Sequence, residues 1–453
     1  MPRKPATNRA SDGAPRQPKV FTEVIEDLSH DGRGVARIEG GKTVFVSGAL
    51  PGETVTFVRR KKHRRFDEGE ATEIENPSPD RVEPECPHFG VCGGCSLQHL
   101  APAAQIDAKQ KVLADNFERL GKVDPESWLE PLIADQWGYR RRARLGVKWV
   151  KKKGKVLVGF RERHAPFIAE LESCKVIAPE IGEKLTDFGE LIGALSIPDR
   201  IPQLEVSVAE NATAVVVRHL DPLTEDDLSK LADFGREHGI RFYLQSKGPD
   251  TIVPLEPDAD TPLRYSIPAE SLAFEFLPSD FIQVNASLNN AMVAHALGLL
   301  ELQGTESVLD LFCGLGNFTL PLARHAATVT GVEGDDGLVN RARDNARANG
   351  LGNVDFHVAN LFEPIEDFEW ARRQYDVLVL DPPRAGAEAV CHSVERFAAD
   401  TILYVSCHPG SLARDAGILV NEKGYRLVKA GVMDMFPHTA HVESIALFRR
   451  EVA

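Results

Sequence analysis

From about Phe281 onward, short apolar runs alternate with helix-like segments at a regular spacing. Strands are expected at Val308–Phe312, Thr328–Glu333, Val354–Val358, Val377–Asp381 and Ile402–Ser406, with helices between them. This pattern leaves little choice of fold: a doubly wound, Rossmann-like parallel sheet covered on both faces. A final pair, Tyr425–Met433 and Val442–Arg449, reads as an antiparallel hairpin that closes it. Ligands in such sheets bind beyond the carboxyl ends of the strands, so the residues that end each strand carry the functional information.

The first strand runs into Asp310-Leu311-Phe312-Cys313-Gly314-Leu315-Gly316-Asn317. Glycines there let a ligand approach the backbone and the following helix N-terminus. Glu333 ends the next strand, 23 residues after Asp310, where an acid suits ribose hydroxyls. Asn360 follows the third strand, where an adenine edge would lie. No third glycine stands at the dinucleotide spacing, so S-adenosylmethionine is expected rather than NAD.

The fourth strand ends in Asp381-Pro382-Pro383-Arg384 and the fifth in Ser406-Cys407-His408-Pro409. A rigid Pro-Pro loop would hold Asp381 near a transferred methyl group. Cys407 is placed to be a nucleophile, and Glu443, at the start of the last strand, to be a base. The set describes a methyltransferase that works through a covalent adduct with a nucleobase. An Asn at position 381 would suit an exocyclic amine, and a Cys after the first proline would suit cytosine C5. Neither is present, so uracil C5 is the expected target. Gln283, in Phe281-Ile282-Gln283-Val284-Asn285, could bridge cofactor and base. Cys313 and Cys391 are rival thiols, read as packing residues because one lies inside the glycine turn and the other in a helix-like stretch.

Upstream, Phe21 to about Pro79 reads as a five-stranded barrel of the OB type, with short alternating runs between glycine turns. It carries Arg59-Arg60-Lys61-Lys62-His63-Arg64-Arg65, six permanent positive charges in seven residues. The whole chain has a formal net charge of −14, which by itself predicts no nucleic-acid partner, so the local basic run matters more than the sum. A second basic stretch, Arg140-Arg141-Arg142-Ala143-Arg144 with Lys148 and Lys151 to Lys153, is interleaved with Tyr139 and Trp149, a combination suited to looped RNA. Its alternative is an edge strand blunted by cations. Residues 1–19 are read as a disordered basic tail. No apolar run reaches the roughly 18 residues of a membrane span, and no secretory signal is seen, so a cytoplasmic location is expected.

Seven cysteines in a chain of this kind argue for reduced thiols. Cys86, Cys92 and Cys95 share a glycine-rich loop, and Cys174 follows 79 residues after Cys95. Four thiolates could hold a [4Fe–4S] cluster or a zinc ion, or stay unliganded. Four-cysteine zinc sites more often show two CxxC pairs, and only one is present, which favours iron–sulfur.

As a set, Phe281–Asn285, Asp310–Asn317, Asp381-Pro-Pro-Arg-Ala-Gly386, Val405-Ser-Cys407 with Leu412-Ala-Arg-Asp415, and Asp434–Glu443 resemble the RNA uridine-5-methyltransferase family over nearly the whole chain. The resemblance implies an α/β multidomain architecture: a TRAM barrel at 20–79, a mixed α/β central domain at 80–98 and 131–280 with an iron–sulfur loop, and a class I methyltransferase domain at 99–130 and 281–453. It implies Cys407 as nucleophile and Glu443 as base. Gln283, Phe312, Asn317, Glu333, Asn360 and Asp381 would line the cofactor and base pocket. Cys86, Cys92, Cys95 and Cys174 would ligate a [4Fe–4S] cluster, as in the branch acting on 23S rRNA. A tRNA or dual-site enzyme is the nearest rival, and an RNA-binding iron–sulfur redox sensor is the rival of another class. The family's nucleophile motif usually reads Ser-Cys-Asn-Pro, so His408 leaves the role of that position open. A monomer is expected.

Overall fold

The computed structural model describes residues 19–257 and 261–451. The expected basic tail lies almost wholly outside them. The chain divides into two compact units, up to Glu83 and from Pro84.

The first unit is a six-stranded sheet in the order Val20–Val24, Thr54–Lys62, Phe66–Glu75, Lys42–Ser47, Gly34–Ile38, Asp27–Leu28. The expectation was five strands; the sixth is the two-residue Asp27–Leu28, too short to show a period of two. Alternation puts Val44, Val46, Val55 and Phe57 inside. The basic run spans the end of Thr54–Lys62 and the turn into Phe66–Glu75. Asp67, fully buried, binds Lys42 at 2.5 Å and Arg59 at 3.1 Å. Burial alone would raise that carboxyl, but the two cations outweigh it and hold it below its ordinary value. Arg59 is thereby pinned, while Arg60, Lys61, Lys62, Arg64 and Arg65 stay exposed.

The second unit holds two large sheets. One has six strands in the order Ile252–Pro254, Ile240–Gln245, Thr213–Arg218, Gln203–Val208, Arg142–Val150, Lys155–Gly159. The helix Glu225–His238 beside it starts at a capping box, in which Thr224 Oγ1 accepts from the Asp227 amide and Asp227 accepts from the Thr224 amide. After Tyr139, Arg142–Gly146 pairs with Gln203–Ser207 and Gly146–Val150 with Lys155–Gly159, so of this strand only Gly146 has a neighbour on each side. The basic stretch is not an open cationic stripe. Arg141 is buried, donates to the Gln283 carbonyl at 2.8 Å and lies over the Tyr265 ring. Arg144 and Lys148, on the alternate face, remain exposed.

The other sheet has eight strands, in the order Val354–Val358, Thr328–Glu333, Ser307–Leu311, Val377–Leu380, Thr401–Ser406, Glu443–Arg450, Tyr425–Met433, Ser127–Trp128. The first five are parallel, and Glu443–Arg450 is antiparallel to both its neighbours. Central strands such as Val377–Leu380 are buried on both faces, which explains their unbroken apolar runs. The outermost strand, Ser127–Trp128, comes from a segment some 300 residues away and adds in parallel to Tyr425–Met433. The helix Pro102–Asn116, preceding it, buries Ile106 and Leu113 in the same apolar cluster as Leu412, Ala413 and Ala416 of the helix Pro409–Asn421.

Candidate active site

Strand register brings Cys407 and Glu443 together. Ser406 lies opposite Ser444 in the antiparallel ladder. One step beyond, Cys407 leaves its strand as Glu443 enters the next, so the two residues face one another across the ladder. Asp381 joins them because it follows Leu380, which pairs with Leu311 on one side and Tyr404 on the other.

Burial raises all three groups, and the carboxyl groups add to the rise at Cys407. Burial pushes the Cys407 thiol up to about 11, with Glu443 and Asp381 adding to the rise and Arg384 opposing it. Burial pushes Glu443 up to about 8; Asp381 adds to this, while Arg384 and Lys109 oppose it. Asp381 is pushed up to about 7 by burial. Two carboxyl groups poised near neutrality beside a thiol are the ingredients of proton transfer coupled to nucleophilic attack. Arg384 is exposed and its guanidinium sits 3.0 Å from His441 Nδ1.

The other expected residues sit at neighbouring strand ends. Glu333 is bound by backbone amides, accepting from Gly314 at 3.2 Å, Gly334 at 2.7 Å and Asp335 at 3.1 Å. Phe312 leaves its strand at φ +65°, which a bulky residue rarely adopts, and its ring lies 5.8 Å from the Phe362 ring. Gly316, at φ +86°, could carry no side chain: a Cβ there would stand 2.5 Å from Leu320. Asn317 exchanges amide hydrogen bonds with Asn289 and accepts from the Tyr265 hydroxyl. Asn360 is exposed and bonded to the Phe362 amide and the Glu363 carboxylate. Gln283 is half-buried, on the segment that accepts from Arg141. His408 caps the helix Pro409–Asn421, its Nδ1 accepting from the Ser411 amide at 3.1 Å. Cys313 and Cys391 are buried.

Sequence reading missed three residues around this site: Lys109, Asp434 and Gln105. The available signal was a Gln and a Lys four apart on the otherwise apolar side of the expected helix, where polar groups are costly.

The second thiol group lies elsewhere in the same unit. Cys86, Cys92, Cys95 and Cys174 line one pocket, walled by Phe89, Phe160, Leu171 and Val176. Burial pushes Cys92 up to about 11 and Cys95 up to about 12, and raises Cys174. Among the described residues, no group of three or more His, Cys, Asp or Glu side chains is set to hold a single metal ion. The loop is also tied to the segment leading to Glu443: the Ser96 and Leu97 amides donate to the His438 carbonyl at 2.9 and 3.0 Å, and the Ala440 amide donates to Ser96 Oγ at 3.0 Å.

No helix among the described residues is long and apolar enough to cross a membrane. A sequence model of the TRAM domain matches residues 21–57. A protein from Xanthomonas euvesicatoria pv. vesicatoria named 23S rRNA (uracil(1939)-C(5))-methyltransferase RlmD is 53% identical over 432 residues, covering 95% of this chain and 97% of its own. One of the same name from Alkalilimnicola ehrlichii is 52% identical, covering 96% and 98%. The Pyrococcus abyssi tRNA (uracil-54, C5)-methyltransferase, solved with S-adenosyl-L-homocysteine, shares the fold at a TM-score of 0.70 and 24% identity, covering 94% of this chain and all of its own. A model of the tRNA (Uracil-5-)-methyltransferase family matches residues 209–451. The chain therefore belongs to the tRNA (uracil-5-)-methyltransferase family and carries a TRAM domain at its N-terminal end.

Proposed function

We propose that this chain is an S-adenosylmethionine-dependent methyltransferase that forms 5-methyluridine in 23S rRNA, at the uridine its relatives' names give as 1939. The observation that carries the reading is the register that sets Cys407 opposite Glu443 with Asp381 beside them.

Uracil C5 is a poor nucleophile. The Cys407 sulfur bonds to C6, and the C5=C6 electrons move toward O4, leaving C5 electron-rich. S-adenosylmethionine supplies an electrophilic methyl group to that carbon. Glu443 then takes the C5 proton; the C–H electrons re-form C5=C6, and the sulfur leaves as thiolate. With its thiol near 11, Cys407 rests protonated at neutral pH, so a neighbouring carboxylate must accept that proton first. Glu333, the turn at Gly314 and Gly316, Phe312, Asn317 and Asn360 are read as the cofactor wall, and Gln283 and Asp381 as the groups between cofactor and base. Chemistry at C5 and C6 needs access to a ring face, so the target base must be turned out of its stack.

The reading extends to a [4Fe–4S] cluster on Cys86, Cys92, Cys95 and Cys174. The pocket fits: four thiols face one apolar-walled space, with Arg163 and Arg140 near enough to favour thiolates. Iron and acid-labile sulfide near four per chain would support the cluster, and one zinc per chain would exclude it.

The proposed division keeps 20–79 as the barrel, 80–98 with 131–280 as the central domain, and 99–130 with 281–453 as the catalytic domain. The helix Pro102–Asn116 and the strand Ser127–Trp128 support the last grouping. The partner is 23S rRNA, and the enzyme is read as a cytoplasmic monomer. The test is tritium release from [5-³H]uridine in a 23S rRNA fragment, with a tRNA transcript alongside. Release from the rRNA fragment that disappears in Cys407→Ala supports the reading; release from tRNA alone moves the substrate. Affinity for the fragment should fall steeply with salt if the barrel's cations grip phosphate.

A further inference from the structure

Helix Pro102–Asn116 places two polar side chains, Gln105 and Lys109, on a buried face, each 2% exposed. Residues four apart stack on one side of a helix, so the two point at the same neighbour. That neighbour is the loop from Asp434 to His438. Lys109 Nζ donates to Asp434 Oδ1 at 2.6 Å and to the Phe436 carbonyl at 3.1 Å. Gln105 Oε1 accepts from the His438 amide at 3.0 Å, while its Nε2 donates to the Leu97 and Leu100 carbonyls at 3.1 and 2.8 Å. Met433, just before the loop, pairs with Glu443, just after it. One helix face therefore clamps the connection that both enters and leaves at Glu443.

A stability role alone is a weak account of this arrangement. A buried ion pair loses so much hydration that a well-packed apolar pair of similar volume is often as stable or more so. Lys109 and Asp434 are 2% and 3% exposed, so desolvation is nearly complete. Another reason for keeping the pair lies within reach of its charge: Lys109 interacts with Glu443, whose carboxyl also faces Asp381, Arg384 and the Cys407 thiol.

We infer that Lys109, held by Asp434 and with Gln105 beside it, is a positioning residue for the base: it fixes the loop that aims Glu443 at the C5 proton of the adduct and supplies a buried positive charge behind it. The inference rests on Glu443 being the base, as proposed above. In the step affected, the C5–H electrons re-form C5=C6, the C6–sulfur bond breaks, the proton goes to Glu443 and the thiolate returns to Cys407.

The test uses the full-length protein and the double variant Lys109→Met/Asp434→Leu, which removes both charges and leaves neither partner buried alone. The expected result is a folded protein with unchanged KM for the RNA fragment and a kcat lower by about 10- to 100-fold. A methylated, SDS-stable protein–RNA adduct should accumulate, because the proton-removal step is the one impaired. The rising limb of kcat with pH should move up, since loss of the cation makes Glu443 harder to ionise, and Lys109→Arg should restore most of the rate. A double variant that folds and turns over like wild type, or one that does not fold while Lys109→Arg does, overturns the inference by leaving the pair inert or purely structural. Absence of tritium release from wild type would instead remove the reading on which it rests.

Discussion

The four cysteines of one pocket and Cys407 at the strand ends are alike in burial and opposite in surroundings. At the four-thiol pocket, burial lifts Cys92 and Cys95 to about 11 and 12 among apolar walls, with an arginine opposing the rise at Cys92 and at Cys174. At the strand ends, burial lifts Cys407 to about 11, but two carboxyl groups stand against it. The first set would become thiolate when a bound cation takes the sulfurs and their protons are released to solvent. The second can hand its proton to a neighbour and take it back, which a nucleophile that must also leave requires. The thiol's own affinity for its proton does not distinguish them; what stands beside it does.

The largest effect that tests this contrast is Cys407→Ala. It should abolish tritium release from C5 while leaving RNA affinity intact, and residual turnover through any pocket cysteine would collapse the distinction. Next is Glu443→Gln, expected to slow turnover by about 10²- to 10⁴-fold and to leave the adduct standing on denaturing gels. Cys95→Ser should act in the other sense. With the proposed cluster in that pocket, iron should be lost and the melting temperature should fall by about 5 °C or more. Hydrogen exchange should quicken at Ser96, Leu97 and Ala440, whose amides join the cysteine loop to the segment before Glu443.

The smallest effect is the pH dependence. Glu443 and Asp381 have folded values raised to about 8 and about 7 against ordinary carboxylate values of 4.5 and 3.8. A raised carboxyl contributes stability that is fully present below its unfolded value and is lost as pH climbs through its folded one. Stability should therefore decline between about pH 4 and 8, while turnover rises over the upper part of that range as Glu443 ionises. Glu443→Gln should melt at the wild-type temperature near pH 4.5 and above it at pH 8.5. Parallel melting curves across that range would show that Glu443 is not held up by its surroundings.

Much of this was readable from the chain because the central parallel strands are buried on both faces, and such strands announce themselves as apolar runs ending at polar residues. Val377–Leu380 and Thr401–Ser406 are of this kind, and Thr328–Glu333, Val354–Val358 and Tyr425–Met433 also lie where their patterns put them. Polar residues with structural work were harder. Arg140 to Arg142 look like phosphate ligands in sequence, yet Arg141 is spent on the Gln283 carbonyl and the Tyr265 ring. Lys109 looks like a solvated charge and is buried against Asp434. Ser127–Trp128 is two exposed residues long and gains its identity as a strand only from Tyr425–Met433. In each case the deciding partner lies more than a hundred residues away, beyond any local period. His408 shows the reverse: at the position where the family's nucleophile motif usually has Asn, it makes a local helix cap, three residues from its partner amide.

The place of Glu443–Arg450 in the sheet has a consequence for how the protein is made. That strand is the last to be synthesised among those described, yet it is inserted between Thr401–Ser406 and Tyr425–Met433 instead of being added at an edge. Until it arrives, two strands lack a neighbour, the helix Pro102–Asn116 has no finished sheet to lie on, and Cys407 has nothing opposite it. The growing chain thus carries Cys407 before the strand that brings Glu443 to face it, so the pair on which the proposed mechanism rests is assembled only once Glu443–Arg450 enters the sheet.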